Sequence, residues 1–330
     1  MAERLMLLDT PTLYFRAFYG IPESITAPDG MPINAVRGTL DFISHLVTHH
    51  RPDRLIACFD ADWRPEYRVK LLPSYKAHRV VEQAPAAGQS VDSPDGPGRS
   101  ASASVEEVPD TLTPQVRMLL EVLAAVGIAD GWAPGFEADD AIAAYAARHR
   151  AADGGGVDVV TGDRDMFQLI SDADHVRVLN IARGVAKLEV LDDTQLSGKY
   201  GVTGAQYADF ATLRGDASDG LPGVPGIGEK TAAALLAAFG SLDALQAAAA
   251  GTGEKGGALK PAVRKRLTDA ADYLAVAPDV VRVRADAEVT PVDSVLPAVP
   301  AHPAELEELA ARYGLANPVK RLIKALAATA

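Results

Sequence analysis

The chain has 330 residues, 48% of them hydrophobic and 23% charged, which is the make-up of a soluble globular protein with one extended or two separate domains. A single cysteine, Cys58, excludes an internal disulfide or a Cys-based zinc site and leads us to expect a reducing, cytoplasmic setting. The net charge of −12 argues against a nucleic-acid partner unless the acids are gathered around cations, which reverses the local sign.

Residues 5–8, all apolar, read as a short strand ending at Asp9, and residues 12–19, aromatic-rich and carrying Arg16, as a helix. After a Pro-Asp-Gly turn, Asn34 is placed to cap an amphipathic helix over 35–49. Residues 54–59 form a second strand, with Cys58 as a small buried hydrophobe, and it too ends in an acid, Asp60. A helix between two acid-tipped strands is the βαβ pattern, which makes the strands parallel and puts ligands at their carboxyl ends.

From Trp63 to Arg79 the chain is basic, with Arg64, Arg68, Lys70, Lys76 and Arg79 interleaved with Tyr67 and Tyr75. Alone, this stretch suits a solvated surface as well as a strip facing nucleic acid, with cations for phosphates and rings for bases. Residues 85–108 are too poor in apolar side chains to fold and read as a flexible insertion. Thr113-Pro114 opens a helix to Val126. Glu137-Ala138-Asp139-Asp140 opens the next, over 141–150, where one acid would satisfy the helix dipole and three ask for a further role.

Residues 157–160 form a third strand, followed by Thr161-Gly162-Asp163-Arg164-Asp165. Two acids at a strand tip must face water, a cation or a substrate. Strands over 176–179 and 187–190 and helices over 194–201 and 207–213 come next. Gly215-Asp216-Ala217-Ser218-Asp219-Gly220 then leads through Pro222-Gly223-Val224-Pro225-Gly226-Ile227-Gly228-Glu229-Lys230-Thr231 into an Ala/Leu-rich helix. A Gly-rich turn at a helix start offers backbone N–H groups to a phosphate, and the spacing is not that of a Walker loop. Two further helices are expected, over 260–275 with Lys260, Arg264, Lys265 and Arg266, and over 304–326, ending in cations that favour a helix terminus anyway.

Asp9, Asp60, Glu137, Asp139, Asp140, Asp163, Asp165, Asp216 and Asp219 on one rim would repel one another unless divalent cations neutralise them. With no Cys or His among them, oxygen-only ligation favours Mg2+ or Mn2+ over Zn2+. Two such cations about 3.5–4 Å apart suit phosphodiester hydrolysis.

These acid motifs and the Gly-rich hairpin, in this order along nearly the whole chain, resemble the 5′-nuclease superfamily. It comprises 5′–3′ exonucleases, flap endonucleases and the nuclease domain of bacterial DNA polymerase I, and the likeness is nearest to stand-alone 5′–3′ exonucleases of actinobacterial type. The resemblance implies an α/β fold: a central, mostly parallel sheet flanked by helices, a PIN-like or resolvase-like nuclease core over 1–190. It implies a helical arch near 64–110 and a helical region over 191–330, with a helix-hairpin-helix near 210–240 for duplex DNA. One Mg2+ or Mn2+ would be held mainly by Asp9, Asp60, Glu137 and Asp139, and a second by Asp163, Asp165, Asp216 and Asp219, with Asp140 in support. Lys76 and Arg79 match catalytic cations beside the scissile phosphate, Tyr75 a ring that stacks on a base, and Arg16 and Arg68 further substrate contacts. Gly223, Gly226, Gly228, Lys230 and Thr231 would hold the duplex, with K+ on the hairpin carbonyls. Gly220 departs from the Asn common in the family, at the expected cost of a supporting contact rather than a ligand.

The function so implied is a structure-selective, divalent-metal-dependent 5′ nuclease acting on 5′ flaps, nicked or gapped duplex and RNA primers in replication and repair, as a monomer with the nucleoid. The alternatives are a catalytically dead binder of branched DNA, against which the intact acids speak, and a PIN-type ribonuclease. Such ribonucleases are shorter and generally lack the hairpin and the pair Asp216 and Asp219.

Overall fold

The computed structural model describes residues 3–80, 109–152, 154–252 and 259–329, so the insertion expected at 85–108, and with it most of the expected arch, lies outside the described residues. The chain begins with β1 (Leu5–Asp9), α1 (Thr10–Gly20), α2 (Asn34–His50) and β2 (Arg54–Cys58), and its basic stretch holds α3 (Glu66–Leu71) and a 3-10 turn at Ala77–Arg79. Next come α4 (Leu112–Val126), β3 (Ala129–Gly131), α5 (Ala138–Ala151), β4 (Val157–Thr161), β5 (Val176–Asn180) and β6 (Glu189–Leu191). The six strands form one sheet in the order β3-β2-β1-β4-β5-β6, parallel except for β6, which runs antiparallel to β5 and crosses the boundary drawn at residue 190.

Strand order reverses at β1, with β2 and β3 on one side and β4 to β6 on the other, and this opens a crevice at the carboxyl ends of β1 and β4. The register sets Asp9 beside Cys58 and Leu8 beside Val160. Asp60 and Asp163 each follow their strand by two residues, so the topology delivers both to the rim where Asp9 sits. The chain leaving β3 delivers Glu137 and Asp139 to the same cleft.

Alternation along the strands sends Leu5, Leu7, Ile56, Val157 and Val159 into one core and Met6, Leu8, Leu55, Ala57 and Val160 into another. The first core continues through α5 into α6 (Asp193–Tyr200), α7 (Gly204–Arg214), α8 (Glu229–Phe239), α9 (Leu242–Ala249), α10 (Pro261–Asp269) and α11 (Ala271–Val281). The second is closed by α2, α4 and the returning helices α12 (Pro303–Arg312) and α13 (Ala316–Ala327). Cys58 is fully buried, as expected. Asp158, inaccessible within β4, is neutralised by Arg4 (2.8 Å) and Arg177 (2.6 and 3.2 Å), near the amino end of the strand and away from the acid rim.

Some sequence expectations change. Asn34 does not cap α2; it is the first helical residue, fully buried, and donates to the carbonyls of Phe18 (2.7 Å) and Ile21 (3.1 Å), which ties the end of α1 to α2. Residues 260–275 are divided between two helices at Ala270, and 304–326 between two helices around Gly314, whose φ of +68° suits a turn. β3 and α9 have no counterpart in the sequence reading: β3 is three residues with no apolar run, and α9 begins where the Ser241 hydroxyl accepts the Ala244 N–H (3.2 Å). Among the described residues no single helix is long and apolar enough to cross a membrane, and the apolar pair α8 and α9 is bent by 86°.

Candidate active site

A cleft of about 600 Å3 opens at the carboxyl edge of the sheet, lined by Asp9, Asp60, Glu137, Asp139 and Asp163 together with Lys76 and Arg79. Asp9, buried at the end of β1, accepts the Thr12 N–H (3.1 Å) and the hydroxyls of Thr12 (2.5 Å) and Thr161 (2.6 Å). Since Thr161 ends β4, that last bond clamps two strand ends together. Asp60 accepts the Ala138 N–H (2.8 Å) at the start of α5, and Asp163 accepts the Asp165 N–H (2.9 Å). Asp216 accepts the Ser218 N–H (2.9 Å) and a guanidinium N–H of Arg214 (3.0 Å).

Desolvation is the largest influence on Asp9, Asp60, Asp139, Asp163, Asp165 and Asp219. With neighbouring carboxylates adding to it, Asp139 and Asp165 are pushed well above the usual range. Desolvation also raises Asp9 and Asp163, carries Asp60 to about 7 and carries Asp219 to about 6. Asp163 is open to the cleft yet ringed closely enough by protein atoms to feel this effect. Asp165 Oδ1 is buried without a hydrogen-bond partner. Under-neutralised oxygens with no nitrogen or sulfur among them fit a hard divalent cation. The side chains are not closed on one point, however. Among the described residues no three acidic, His or Cys groups converge as a ligand set, and Glu137 is turned to the cations of the basic stretch.

That stretch is not the solvated strip it resembles in sequence. Arg68, 2% exposed, forks onto Glu137 and onto Asp140 (2.8 Å) and donates Nε–H to the Val280 carbonyl (3.0 Å), joining α3, α5 and α11. Tyr75, 3% exposed, lies with its ring between Arg68 and Lys76 (5.7 and 5.2 Å from the centroid) and donates its hydroxyl to Glu137 (2.7 Å). Both side chains, assigned to the substrate from sequence, are here buried against Glu137 and Asp140, where Arg68 neutralises the two carboxylates and Tyr75 helps to orient Glu137. Desolvation alone would raise Glu137, but Lys76 and then Arg68 outweigh it and hold the carboxyl below its usual range.

Lys76 adopts a left-handed backbone (φ +47°), and its N–H donates to the Asp219 carbonyl (3.0 Å). Arg79 donates to the Asp219 carboxylate (3.1 Å) and the Ser218 carbonyl (2.9 Å). The same docking accounts for Gly220: its φ is +73°, and a Cβ there would lie 2.1 Å from the Ser74 carbonyl oxygen. The departure to glycine is therefore a packing requirement. Arg16 lines the cleft and donates to the Ala182 carbonyl (2.8 Å), and its Nε is buried without a partner. Phe15, Tyr19 and Trp63 line the cleft too. The sequence reading did not single them out, and their aromatic character was the available signal.

In the hairpin before α8, Val224 and Ile227 are buried anchors, whereas Gly226, Gly228 and Lys230 face solvent. Gly228 is the cap residue of α8 and its carbonyl accepts the Thr231 N–H (3.0 Å). Gly223 (φ +67°) lies so near α7 that a Cβ would meet the Arg214 carbonyl oxygen at 2.5 Å. The hairpin stands apart from the acid cleft but is tied to it by ion pairs of Glu229 with Arg164 (2.8 Å) and Arg214 (3.5 Å), which the sequence reading lacked.

Known proteins resemble this chain through both of its halves. Residues 4–201 match the family described as 5′-3′ exonuclease, N-terminal resolvase-like domain, and residues 202–301 match 5′-3′ exonuclease, C-terminal SAM fold. A 5′-3′ exonuclease of Streptomyces coelicolor is 55% identical over 98% of this chain and 100% of its own length. A 5′-3′ exonuclease of Mycobacterium tuberculosis is 49% identical over 99% of this chain and 98% of its own. The thermostable DNA polymerase I of Thermus aquaticus is 32% identical over 86% of this chain but only 29% of the polymerase. Among solved structures, T5 5′-exonuclease with divalent zinc ions bound gives a TM-score of 0.60 at 17% identity, covering 99% of both chains. The catalytic core of Rad2 in complex with DNA substrate gives 0.58 at 16% identity, covering 99% of this chain and 92% of its own; at such identities the likeness is one of fold. Matched in order through both halves, and related over its length to two named exonucleases, the chain belongs to the 5′-3′ exonuclease family.

Proposed function

We propose that this family member is a structure-selective 5′ nuclease that hydrolyses phosphodiester bonds at 5′ ends and 5′ flaps of DNA with two divalent cations, Mg2+ or Mn2+. The observation that carries the reading is the gathering of desolvated, under-neutralised carboxylates, Asp9, Asp60, Asp139 and Asp163, in one cleft faced by Lys76 and Arg79. Asp9, Asp60, Glu137 and Asp139 would hold one cation, and Asp163, Asp165, Asp216 and Asp219 the other, with Asp140 in support. When bound, such cations supply an acidified water and charge stabilisation at the phosphate.

The chain's own groups do the rest. Thr12 and Thr161 fix the Asp9 carboxylate, and the Ala138 N–H fixes Asp60. Lys76, tethered through its backbone to Asp219, carries a positive charge beside the acids, where it can stabilise a phosphate oxygen once Glu137 is engaged elsewhere. Arg79 and Arg16 serve the same phosphate strand. The exposed backbone of Gly226 and Gly228, with Lys230 and Thr231, holds the downstream duplex by its phosphates, and K+ on the hairpin carbonyls assists. Labour is divided between a nuclease core over 1–190 and a duplex-holding region over 191–330.

The test is a 5′-labelled flap duplex, a single strand and an RNA hairpin, each with Mg2+, with Mn2+ or with EDTA. Metal-dependent cutting of the flap near its junction is expected. A flap bound but never cut would leave a branched-DNA binder, and cutting of the RNA hairpin alone would leave a PIN-type ribonuclease.

A further inference from the structure

Glu229 is the first residue of α8, directly after the hairpin, and one of its carboxylate oxygens is shared by two arginines. Arg164 donates to it at 2.8 Å, and Arg164 lies in the chain between Asp163 and Asp165. Arg214 reaches it at 3.5 Å while binding Asp216 at 3.0 Å. A lone exposed ion pair would carry little. These guanidinium groups are held: Arg164 donates Nε–H to the Tyr207 hydroxyl (3.2 Å) and lies over the Tyr200 ring (4.8 Å). Arg214 is 11% exposed in its side chain, donates to the Gly215 carbonyl (2.9 Å) and lies over the Phe210 ring (5.6 Å). A carboxylate at a helix start favours the dipole without any partner, yet this one is directed sideways, toward both limbs of the second acid group.

We propose that Glu229, through Arg164 and Arg214, is a positioning residue that couples the duplex-holding hairpin to Asp163, Asp165 and Asp216. The proposal rests on the function proposed above. A phosphate backbone seated on the hairpin moves or rigidifies the start of α8; Glu229 moves with it, and the two arginines pass that change to the acids. Coupling of this kind is reciprocal, so duplex and divalent cation each tighten the other's binding.

The experiment measures Mn2+ affinity of the full chain by electron paramagnetic resonance, with and without a short duplex closed by a loop at each end, which offers no 5′ end to cut, and duplex affinity in EDTA. In the unaltered chain the duplex should tighten Mn2+ binding about fivefold or more. In Glu229→Gln that factor should fall below about twofold, with duplex affinity in EDTA unchanged or tighter. Arg164→Gln should lose the same factor, and the double variant should lose no more than either single one. Should Glu229→Gln melt early, Arg164→Lys, which keeps the charge but not the fork, carries the measurement. Equal coupling in variant and unaltered chain overturns the relay, as does an unaltered chain that cuts flaps yet binds Mn2+ equally well with and without duplex. A chain that cuts no flap is a different failure: it removes the proposed function and the relay with it.

Discussion

The ammonium of Lys76 donates to Glu137, the carboxylate that precedes α5, although the two residues are sixty-one positions apart. Glu137 is thereby neutralised by the group proposed to face the scissile phosphate. Lys76→Ala leaves Glu137 with Arg68 and Tyr75, so the fold should survive. The charge beside the phosphate would be gone. The expected result is a fall in kcat of about 10²–10³ with a small change in KM. A rise in KM at constant kcat, read from single-turnover and steady-state cleavage of a flap duplex, would show that Lys76 serves binding alone.

The acid cleft makes the metal-free protein's stability depend on pH in an unusual sense. Asp60 rises from 3.8 to about 7 and Asp219 from 3.8 to about 6 in the folded chain. The folded state therefore binds more protons than the unfolded one between those values, and stability is lost as pH rises from about 4 toward about 7. Most proteins gain stability over the lower part of that range. Thermal melts in EDTA should fall between about pH 5 and about pH 8, and Mg2+ should raise the melting temperature far more at the upper pH than at the lower. A metal-free melting temperature that climbs across this window would refute the picture.

The acid rim was legible because it depends on two simple regularities. Apolar runs mark strands, parallel strands share one carboxyl edge, and Asp9, Asp60 and Asp163 follow those runs directly. Arg68 and Tyr75 were not legible, because a basic, aromatic stretch reads as surface unless its partners are known. Those partners, Glu137 and Asp140, lie more than sixty residues away and are buried only by the fold. Asn34 failed for a similar reason: a capping residue by type, it is captured by two carbonyls at the end of another helix. The link from Glu229 to the acids was hidden because Arg164 sits inside the acid motif, which drew attention to its neighbours.

Asp163→Asn separates the acid's two effects. Asp163 and its neighbours each raise the other's affinity for protons, so removing its charge relieves repulsion on Asp139 and Asp165. In EDTA near neutral pH the variant should melt higher, about 2–4 °C for each kcal/mol of relief. With Mg2+ the advantage should vanish and cleavage should drop by orders of magnitude, while duplex binding stays near the level of the unaltered chain. Undiminished cleavage would remove Asp163 from the metal set.

Gly220→Ala tests the docking of the basic stretch on the Asp219 loop. The added Cβ meets the Ser74 carbonyl oxygen at 2.1 Å, and the φ of +73° disfavours any side chain. The strain should cost about 1–3 kcal/mol, relieved by displacing residues 74–79 from the loop. Lys76 and Arg79 would move with them. A denaturant melt should show the loss, and cleavage should fall further than stability alone explains. A variant of full activity would mean that the stretch acts from another position.

Lys230 addresses the duplex rather than the chemistry. It is exposed in the first turn of α8, beside Gly228, and is not one of the residues that line the cleft. A cation that neutralises one phosphate contributes to affinity through released counterions, so its loss should weaken binding of all duplex sequences alike. Lys230→Ala should raise KM and duplex Kd together and leave kcat at saturation unchanged. It should also flatten the slope of log Kd against log salt by about 1. Titrations of a labelled duplex at several KCl concentrations measure that slope directly. An unchanged slope would place the phosphate contact on another residue of the hairpin, and a lowered kcat with normal KM would draw Lys230 into the coupling assigned to its neighbour Glu229.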